Sequence, residues 1–231
     1  MFEGQPIKED AARVFDAVRK GGVAIFPVSV GYAIVGHEDE AIRRIYAAKE
    51  RSFEKPCGNF GDWPLFDQLL LVSDLAREVV RTIIQDHDLP FSVVAPFRIE
   101  HPLAAGLPPF TLKNATKAGT MDLLLNAGPL HDEIARLARE NAYGISGSSA
   151  NVSLSGSKFV LQDVQEQVRK IADIEIDYGL VPFHNDAGLG STIVDLRNFN
   201  TVRAGCVYDQ IARIIQDKFD IDLKGIMAAK H

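Results

Sequence analysis

Hydrophobic patterns of helical and strand type alternate along almost the entire chain, and this succession most constrains its fold. Residues 8–20 repeat apolar side chains at helical spacing before two glycines, and residues 23–28 form a short apolar run typical of a buried strand. Further helices are predicted over 38–49, 74–86, 130–141, 162–170 and 208–219, and further strands over 91–95, 121–125, 143–146 and 191–196. This mixed order predicts an α/β fold in which helices flank a sheet.

Length and composition indicate one large domain, or one with a small appendage, over residues 1–231. The family resemblance described below places its core at about 8–215, with a C-terminal helix and a short tail after it. Apolar residues make up 46% and charged residues 24% of the chain, which excludes a disordered protein. No apolar stretch approaches the roughly 18 residues of a membrane span, and the N-terminus lacks a signal-peptide pattern. We expect the two widely separated cysteines to be reduced thiols and the protein to be cytoplasmic.

Residues 98–120 contain three prolines and two glycines and fit no long helix or strand. We expect a surface excursion there, because a loop of this length in a compact domain is usually functional or mobile. The sequence leaves open whether it acts as a lid.

The segment KERSFEKP places Lys49, Arg51 and Lys55 close together in the sequence. Arginine offers a planar set of donors and lysine a compact charge, so such a cluster suits a phosphate-bearing ligand. Cations at the end of a helix also stabilise its dipole without any ligand, and the segment alone leaves that interpretation open.

Two further stretches combine small and polar residues near predicted strands. Residues 144–156, GISGSSANVSLSG, offer backbone N–H groups and hydroxyls for an anion-binding nest, or else form a flexible polar loop. Residues 185–196, NDAGLGSTIVDL, bring two glycines to the start of a strand, and VRAG then places Arg203 beside a tight turn. Neither stretch is a Walker A loop or a dinucleotide fingerprint, and each alone is also compatible with a structural role.

Taken in order, these stretches resemble the motifs of the YrdC-like family, which includes the threonylcarbamoyl-AMP synthases of tRNA modification. GGVAIFP resembles the family's G-G-x-x-x-x-P strand, KERSFEKP its K-x-R-x-x-x-K-P motif, and LPFSVVAP its P-G-P-x-T strand. SSANVS resembles its S-A-N-x-S loop, STIVDL its S-T-V-V-D strand, and VRAG its R-P-G turn. By this resemblance, which covers nearly the whole chain, the protein is identified as a member of the family.

The resemblance implies a YrdC-like α/β domain with a mixed, twisted sheet and flanking helices around a concave cleft. It also implies a reaction that joins L-threonine, bicarbonate and ATP and releases pyrophosphate. ATP with Mg²⁺ would be a substrate rather than a bound cofactor, and no protein metal site is implied. The nucleotide-binding residues would be Lys49, Arg51, Lys55, Ser92, Ser149, Asn151, Ser153 and Arg203. The pocket for the second substrate would be lined by Val28, Val30, Tyr32, Phe60 and Ser191.

Departures from the family pattern fall mainly on the threonine side of the implied cleft, and the S-A-N-x-S-G loop also carries two extra residues, Leu154 and Ser155. Val28 and Val30 stand where the family has threonines in P-T-[DE]-T, and Ser29 replaces its acidic residue. The histidine expected after the K-P pair is missing where the chain reads CGNF. The family's R-x-P is replaced by LLN at 124–126. Valine keeps the volume of threonine but removes a donor and an acceptor, so a different second substrate is predicted.

These departures favour a divergent member that binds ATP or an adenylate and forms or transfers a carbamoyl-adenylate-type group. Its acceptor would be a small molecule more apolar than threonine, and the expected activity is that of an ATP-dependent, pyrophosphate-releasing transferase. Two alternatives stay open: an authentic L-threonylcarbamoyl-AMP synthase, and a non-catalytic module that binds double-stranded RNA or a nucleotide. The net charge of −6 counts against RNA, because nucleic-acid binding normally needs a basic face.

Overall fold

The computed structural model describes residues 2–223, so Met1 and the end of the predicted tail, residues 224–231, lie outside the described part. Its α-helices are Ile7–Arg19 (α1), Asp39–Ala48 (α2), Trp63–Leu69 (α3), Asp74–Arg81 (α4), Pro102–Ala105 (α5), Pro109–Ala115 (α6), Pro129–Glu140 (α7), Glu166–Arg169 (α8) and Tyr208–Phe219 (α9). A π-helical turn, Thr82–Asp86, extends α4, and a 3-10 turn, Leu161–Asp163, precedes α8. Among residues 2–223, no helix has the length and apolar character needed to cross a membrane.

The strands join in one mixed, ten-stranded sheet, which confirms the predicted α/β class. They are Ala24–Val28 (β1), Gly31–Gly36 (β2), Gly58–Phe60 (β3), Phe91–Pro96 (β4), Thr116–Lys117 (β5), Thr120–Leu125 (β6), Ser146–Ser149 (β7), Ile174–Glu175 (β8), Ile193–Asp195 (β9) and Asn200–Arg203 (β10). Their order is β10-β9-β4-β6-β3-β7-β2-β1-β8, with β5 paired to β6. The pairs β1–β8, β3–β6 and β4–β9 are parallel, and the others are antiparallel.

The helices cover the two faces of the sheet unequally. On one face, apolar side chains of α3, α4 and α9 pack against β4 and β6, and those of α2 pack against β1 and β2. On the other face, α1 and α7 pack against β1 and β2. Beyond the part covered by α1 and α7, loops border this second face, and the candidate site lies there.

Several predicted elements are shifted or differ in form. The strand predicted over 143–146 lies at Ser146–Ser149, so part of the predicted anion nest is a strand. The helix predicted over 162–170 is only the 3-10 turn and α8. The hairpin strand β2 and the short strand β3 were not among the predicted elements.

The predicted surface excursion at 98–120 is instead a packed part of the fold. It forms α5, α6 and β5 and then enters β6. Leu103 and Thr111 are buried, and the Thr111 hydroxyl donates to the carbonyl oxygen of His37 at 2.8 Å. Burial of these groups fixes the segment against the start of α2, so the structure describes no free lid there.

Candidate functional site

A cavity of about 140 Å³ opens beside the loops on the second sheet face. Strand pairing explains the lining: Phe60, Leu124, Ser92 and Ile193 are directly paired in turn across β3, β6, β4 and β9, so their side chains share this face. Most of the predicted site residues line the cavity, namely Val28, Val30, Tyr32, Arg51, Phe60, Ser92, Ser149, Ser191 and Arg203.

Two glycines that are paired across β3 and β7 lie in the cavity lining. Gly58 on β3 is paired with Gly147 on β7, and both line the cavity. A Cβ atom at Gly147 would lie 2.3 Å from the carbonyl oxygen of Ile34, so glycine lets β7 approach β2 closely. A Cβ atom at Gly58 would lie 3.4 Å from Asp122 Oδ2. A side chain at Gly58 would enter the space beside Asp122, whereas one at Gly147 would collide with β2.

Arg51 is held by the loop that follows α2. Its Nε donates to the carbonyl oxygen of Lys55 at 3.2 Å, and its Nη2 donates to that of Pro56 at 2.7 Å. The Tyr46 hydroxyl also donates to the Lys55 oxygen, at 2.8 Å, and ties this loop to α2. Within residues 2–223, Nη1 has no hydrogen-bond partner. The guanidinium is therefore fixed on two sides and keeps donor capacity in the cavity.

Arg203 reaches the cavity from β10 and is fixed in a similar way. Its Nε and Nη2 donate to the carbonyl oxygen of Ser191 at 2.9 and 2.7 Å, and Nη2 also lies 2.8 Å from Ser191 Oγ. That hydroxyl is 3.0 Å from the Ser92 hydroxyl on β4. In the described chain no protein group bonds Arg203 Nη1. Arg203, Ser191 and Ser92 thus form one connected polar wall.

Lys49 does not present its ammonium group to the cavity, contrary to the predicted role at the phosphates. The side chain is buried and donates to the carbonyl oxygens of Ser149 and Asn151. Burial, with a smaller contribution from the charge of Arg51, lowers the pKa of Lys49 to about 7. In this structure Lys49 holds the segment after β7 in place. The sequence could not show this, because the two carbonyls lie about a hundred residues away.

Three other predicted nucleotide-binding residues lie outside the cavity lining. The Lys55 side chain is exposed to solvent on the loop after α2. Asn151 is buried, and its Nδ2 donates to the carbonyl oxygen of Val152 at 2.6 Å. The Ser153 N–H donates to the carbonyl oxygen of Lys49 at 2.8 Å. Asn151 Oδ1 and Ser153 Oγ are buried and have no hydrogen-bond partner among residues 2–223. Both residues follow Ser149, which lines the cavity.

The predicted pocket for the second substrate forms an apolar wall of the same cavity. Val28 and Val30 are buried there, and the Phe60 ring packs edge-on against Phe26 with centroids 5.6 Å apart. Tyr32 lines the cavity, but its hydroxyl lies elsewhere. Alternation along β2 sends its side chain to the opposite face, where its hydroxyl donates to Asp177 Oδ1 at 2.6 Å. Its phenol group does not reach the pocket.

Asp122 is a cavity residue that the sequence reasoning missed. It stands two positions before Leu124 on β6, so the two side chains share a face. Its Oδ1 atom is buried and has no hydrogen-bond partner in the part of the chain that the structure describes. Burial raises the pKa of Asp122 to about 6, while the charges of Arg203 and Arg51 oppose the rise. The strand pattern at 121–125 was the available signal, since it assigns position 122 to the same face as 124.

The arrangement combines fixed cations, hydroxyl groups and an apolar wall in one cavity. Guanidinium groups bind phosphate oxygens well, and valine side chains favour an apolar group. Among residues 2–223, no three His, Cys, Asp or Glu side chains come together in a group suited to holding a metal ion.

Comparisons with known proteins agree with this architecture. A hypothetical protein from Streptococcus mutans superposes with a TM-score of 0.76 at 18% identity, over 93% of this chain and 94% of that one. P. abyssi Sua5, solved with L-threonine, gives a TM-score of 0.73 at 17% identity, over 96% of this chain and 60% of Sua5. E. coli YciO gives a TM-score of 0.65 at 18% identity, over 87% of this chain and 91% of YciO. These likenesses confirm the predicted fold, with its twisted mixed sheet and flanking helices.

The comparison with protein families gives one match over most of the chain. The model of Sua5, YciO and YrdC proteins, which bears the description telomere recombination, matches residues 16–205. The matched range runs from within α1 to the turn after β10 and so includes every residue of the cavity lining. The chain therefore belongs to the Sua5/YciO/YrdC family.

Proposed function

We propose that this chain binds ATP or an adenylate in the cavity and forms or transfers a carbamoyl-adenylate-type group. The observation that carries the proposal is the pair of arginines, Arg51 and Arg203. Each is fixed by backbone carbonyls and lines the same cavity, and each has an Nη1 without a partner among the described residues.

Fixed guanidinium groups of this kind suit a polyphosphate. No carboxylate within residues 2–223 lies within 4.0 Å of Arg51 or Arg203, although Asp122 acts on both through its charge. Donors that are already oriented stabilise charge on a leaving pyrophosphate without reorganising during the reaction. Mg²⁺ would bind together with ATP, coordinated by its phosphates, and would help to neutralise their charge.

The acceptor in this proposal is more apolar than threonine. Val28, Val30 and Phe60 line the wall on which it would lie, and valine offers no hydrogen bond to a hydroxyl group. A polar group placed there without a partner would lose its bonds to water, which costs about 1–3 kcal/mol. Family membership supports carbamoyl-adenylate chemistry, and the apolar wall supports a change of acceptor.

The proposal is tested by pyrophosphate release. The purified chain is incubated with Mg·ATP, bicarbonate and one amino acid at a time, with L-valine, L-leucine and L-threonine compared directly. We expect release that requires ATP and bicarbonate and is faster with an apolar amino acid than with threonine. Arg203→Ala should lower the rate at least tenfold, because it removes a cation from the phosphates.

Two results would contradict the proposal. Release that depends on threonine and not on apolar amino acids would identify an authentic threonylcarbamoyl-AMP synthase. No release with any of the twenty amino acids would refute the transfer activity. Binding of double-stranded RNA is measured as well. RNA binding that weakens steeply with salt, in a chain that does not bind ATP, would identify a nucleic-acid-binding module instead.

A further inference from the structure

Asp122 lies in the cavity as a carboxylate without a protein partner. Its Oδ1 is buried and unbonded within the described residues, and Oδ2 lies 3.4 Å from the position that a Cβ of Gly58 would take. Glycine at that position leaves the space beside the carboxylate open. A buried polar atom without a partner is costly, and the exceptions in folded proteins call for an explanation.

The nearest cations do not supply that partner. Arg203 and Arg51 influence Asp122 through their charges, but no nitrogen of either lies within 4.0 Å of the carboxylate in the part of the chain described. Both guanidinium groups are already bound to backbone carbonyls. The cavity therefore contains two cations that can receive an anion and a separate carboxylate that can receive a cation or an N–H group.

From this separation we propose that Asp122 recognises the amino group of the second substrate, which is therefore a primary amine carrying an apolar group. This inference rests on the proposed function. A charge-assisted hydrogen bond from an ammonium group would satisfy the Asp122 carboxylate, which is partly exposed in the cavity. The apolar group of the amine would lie against the wall formed by Val28, Val30 and Phe60.

An amine fits this carboxylate better than a divalent ion bound by the protein. Asp122 belongs to no group of three potential metal-ligating side chains among residues 2–223. Two arginines line the same cavity and would repel a divalent cation, whereas a substrate with separate cationic and anionic parts matches both charges.

The test uses matched ligands that isolate the amino group. Calorimetry in saturating Mg·ATP compares L-valine with isobutylamine, which lacks the carboxylate, and with 2-hydroxy-3-methylbutanoate, in which a hydroxyl replaces the amino group. The other protein amino acids complete the panel. We expect the hydroxy acid to bind at least tenfold more weakly than L-valine or isobutylamine, whichever of the two binds more tightly. Failure of every amine in the panel to bind the wild-type chain overturns the inference.

The matched variants are Asp122→Asn, which removes the charge with little change in shape, and Asp163→Asn, an exposed control outside the cavity. We expect Asp122→Asn to weaken amine binding at least tenfold without weakening Mg·ATP binding, because the substitution removes a negative charge that acts on Arg51 and Arg203. Equal amine binding by Asp122→Asn and wild type overturns the inference. So does a loss of ATP affinity with unchanged amine binding, which would assign Asp122 to the nucleotide or its Mg²⁺.

A measurement on the wild-type chain keeps the inference testable if Asp122→Asn does not fold. Among the other lining residues, Arg51 and Arg203 are bonded to backbone carbonyls, and the Tyr32 phenol is bonded to Asp177. Lys49, which is bonded to the lining residue Ser149 from behind, has its pKa lowered to about 7 by burial. Amine affinity should therefore fall as the pH drops through about 6, where Asp122 becomes protonated. A flat profile overturns the inference. Absence of Mg·ATP binding, in contrast, refutes the proposed function, whatever the amines do.

Discussion

Replacing Arg51 by alanine gives the sharpest test of a phosphate site in this cavity. The side chain is fixed by the carbonyls of Lys55 and Pro56 and has Nη1 free among the described residues. A hydrogen bond to a charged group contributes about 1.5–3 kcal/mol, which corresponds to about 10- to 150-fold in affinity. We expect Arg51→Ala to weaken Mg·ATP binding by a factor in this range.

The assay is a calorimetric titration, and Lys55→Ala is the matched control. Lys55 lies in the same loop, its side chain is exposed outside the cavity, and its backbone carbonyl survives the substitution. The control should bind Mg·ATP within about threefold of wild type, because an exposed charge contributes little. An unchanged Arg51→Ala variant, or an equal loss in Lys55→Ala, would refute the assignment of Arg51.

Three further predictions concern the support of the site and its acceptor wall. Chemical denaturation compares wild type with Lys49→Met over a range of pH. The free energy of unfolding of wild type, relative to the variant, should rise with pH above about 7. The reason is that the pKa of Lys49 is lowered in the folded chain, so above pH 7 the unfolded chain binds one proton more than the folded chain. A pH-independent difference would contradict this. Gly147→Ala should destabilise the chain by about 1–3 kcal/mol through the contact with the Ile34 carbonyl, and an unchanged denaturation midpoint would argue against the close approach of the strands. The double variant Val28→Thr, Val30→Thr should gain a threonine-dependent thermal shift that wild type lacks, and a threonine response in wild type would contradict the apolar wall.

The regular elements could be predicted where one local signal was strong. The helix predicted over 208–219 matches α9 at both ends, since its apolar residues recur at helical spacing. The strand at Ser146–Ser149 could not be predicted from propensity, because serine and glycine are poor strand formers. It forms because Gly147 fits against β2 in the middle of the sheet, and that requirement depends on residues distant in sequence.

The sequence predicts which residues form the site better than it predicts the directions of their side chains. The motifs identified Arg51, Arg203 and Ser191, which line the cavity together. The direction of the Lys49 side chain depends on two carbonyls contributed by a distant strand and loop, which no local pattern shows. Alternation along β2, had that strand been predicted, would have placed Tyr32 on the opposite face.

The central claim, that this cavity binds a nucleotide, is tested most directly by thermal unfolding in Mg·ATP. At a hundredfold excess over Kd, binding adds about 2.7 kcal/mol of stability, and for a chain of this size the Tm should rise by about 5–10 °C. We predict that rise for wild type, with no further increase on adding L-threonine. No rise at saturating Mg·ATP would contradict the account.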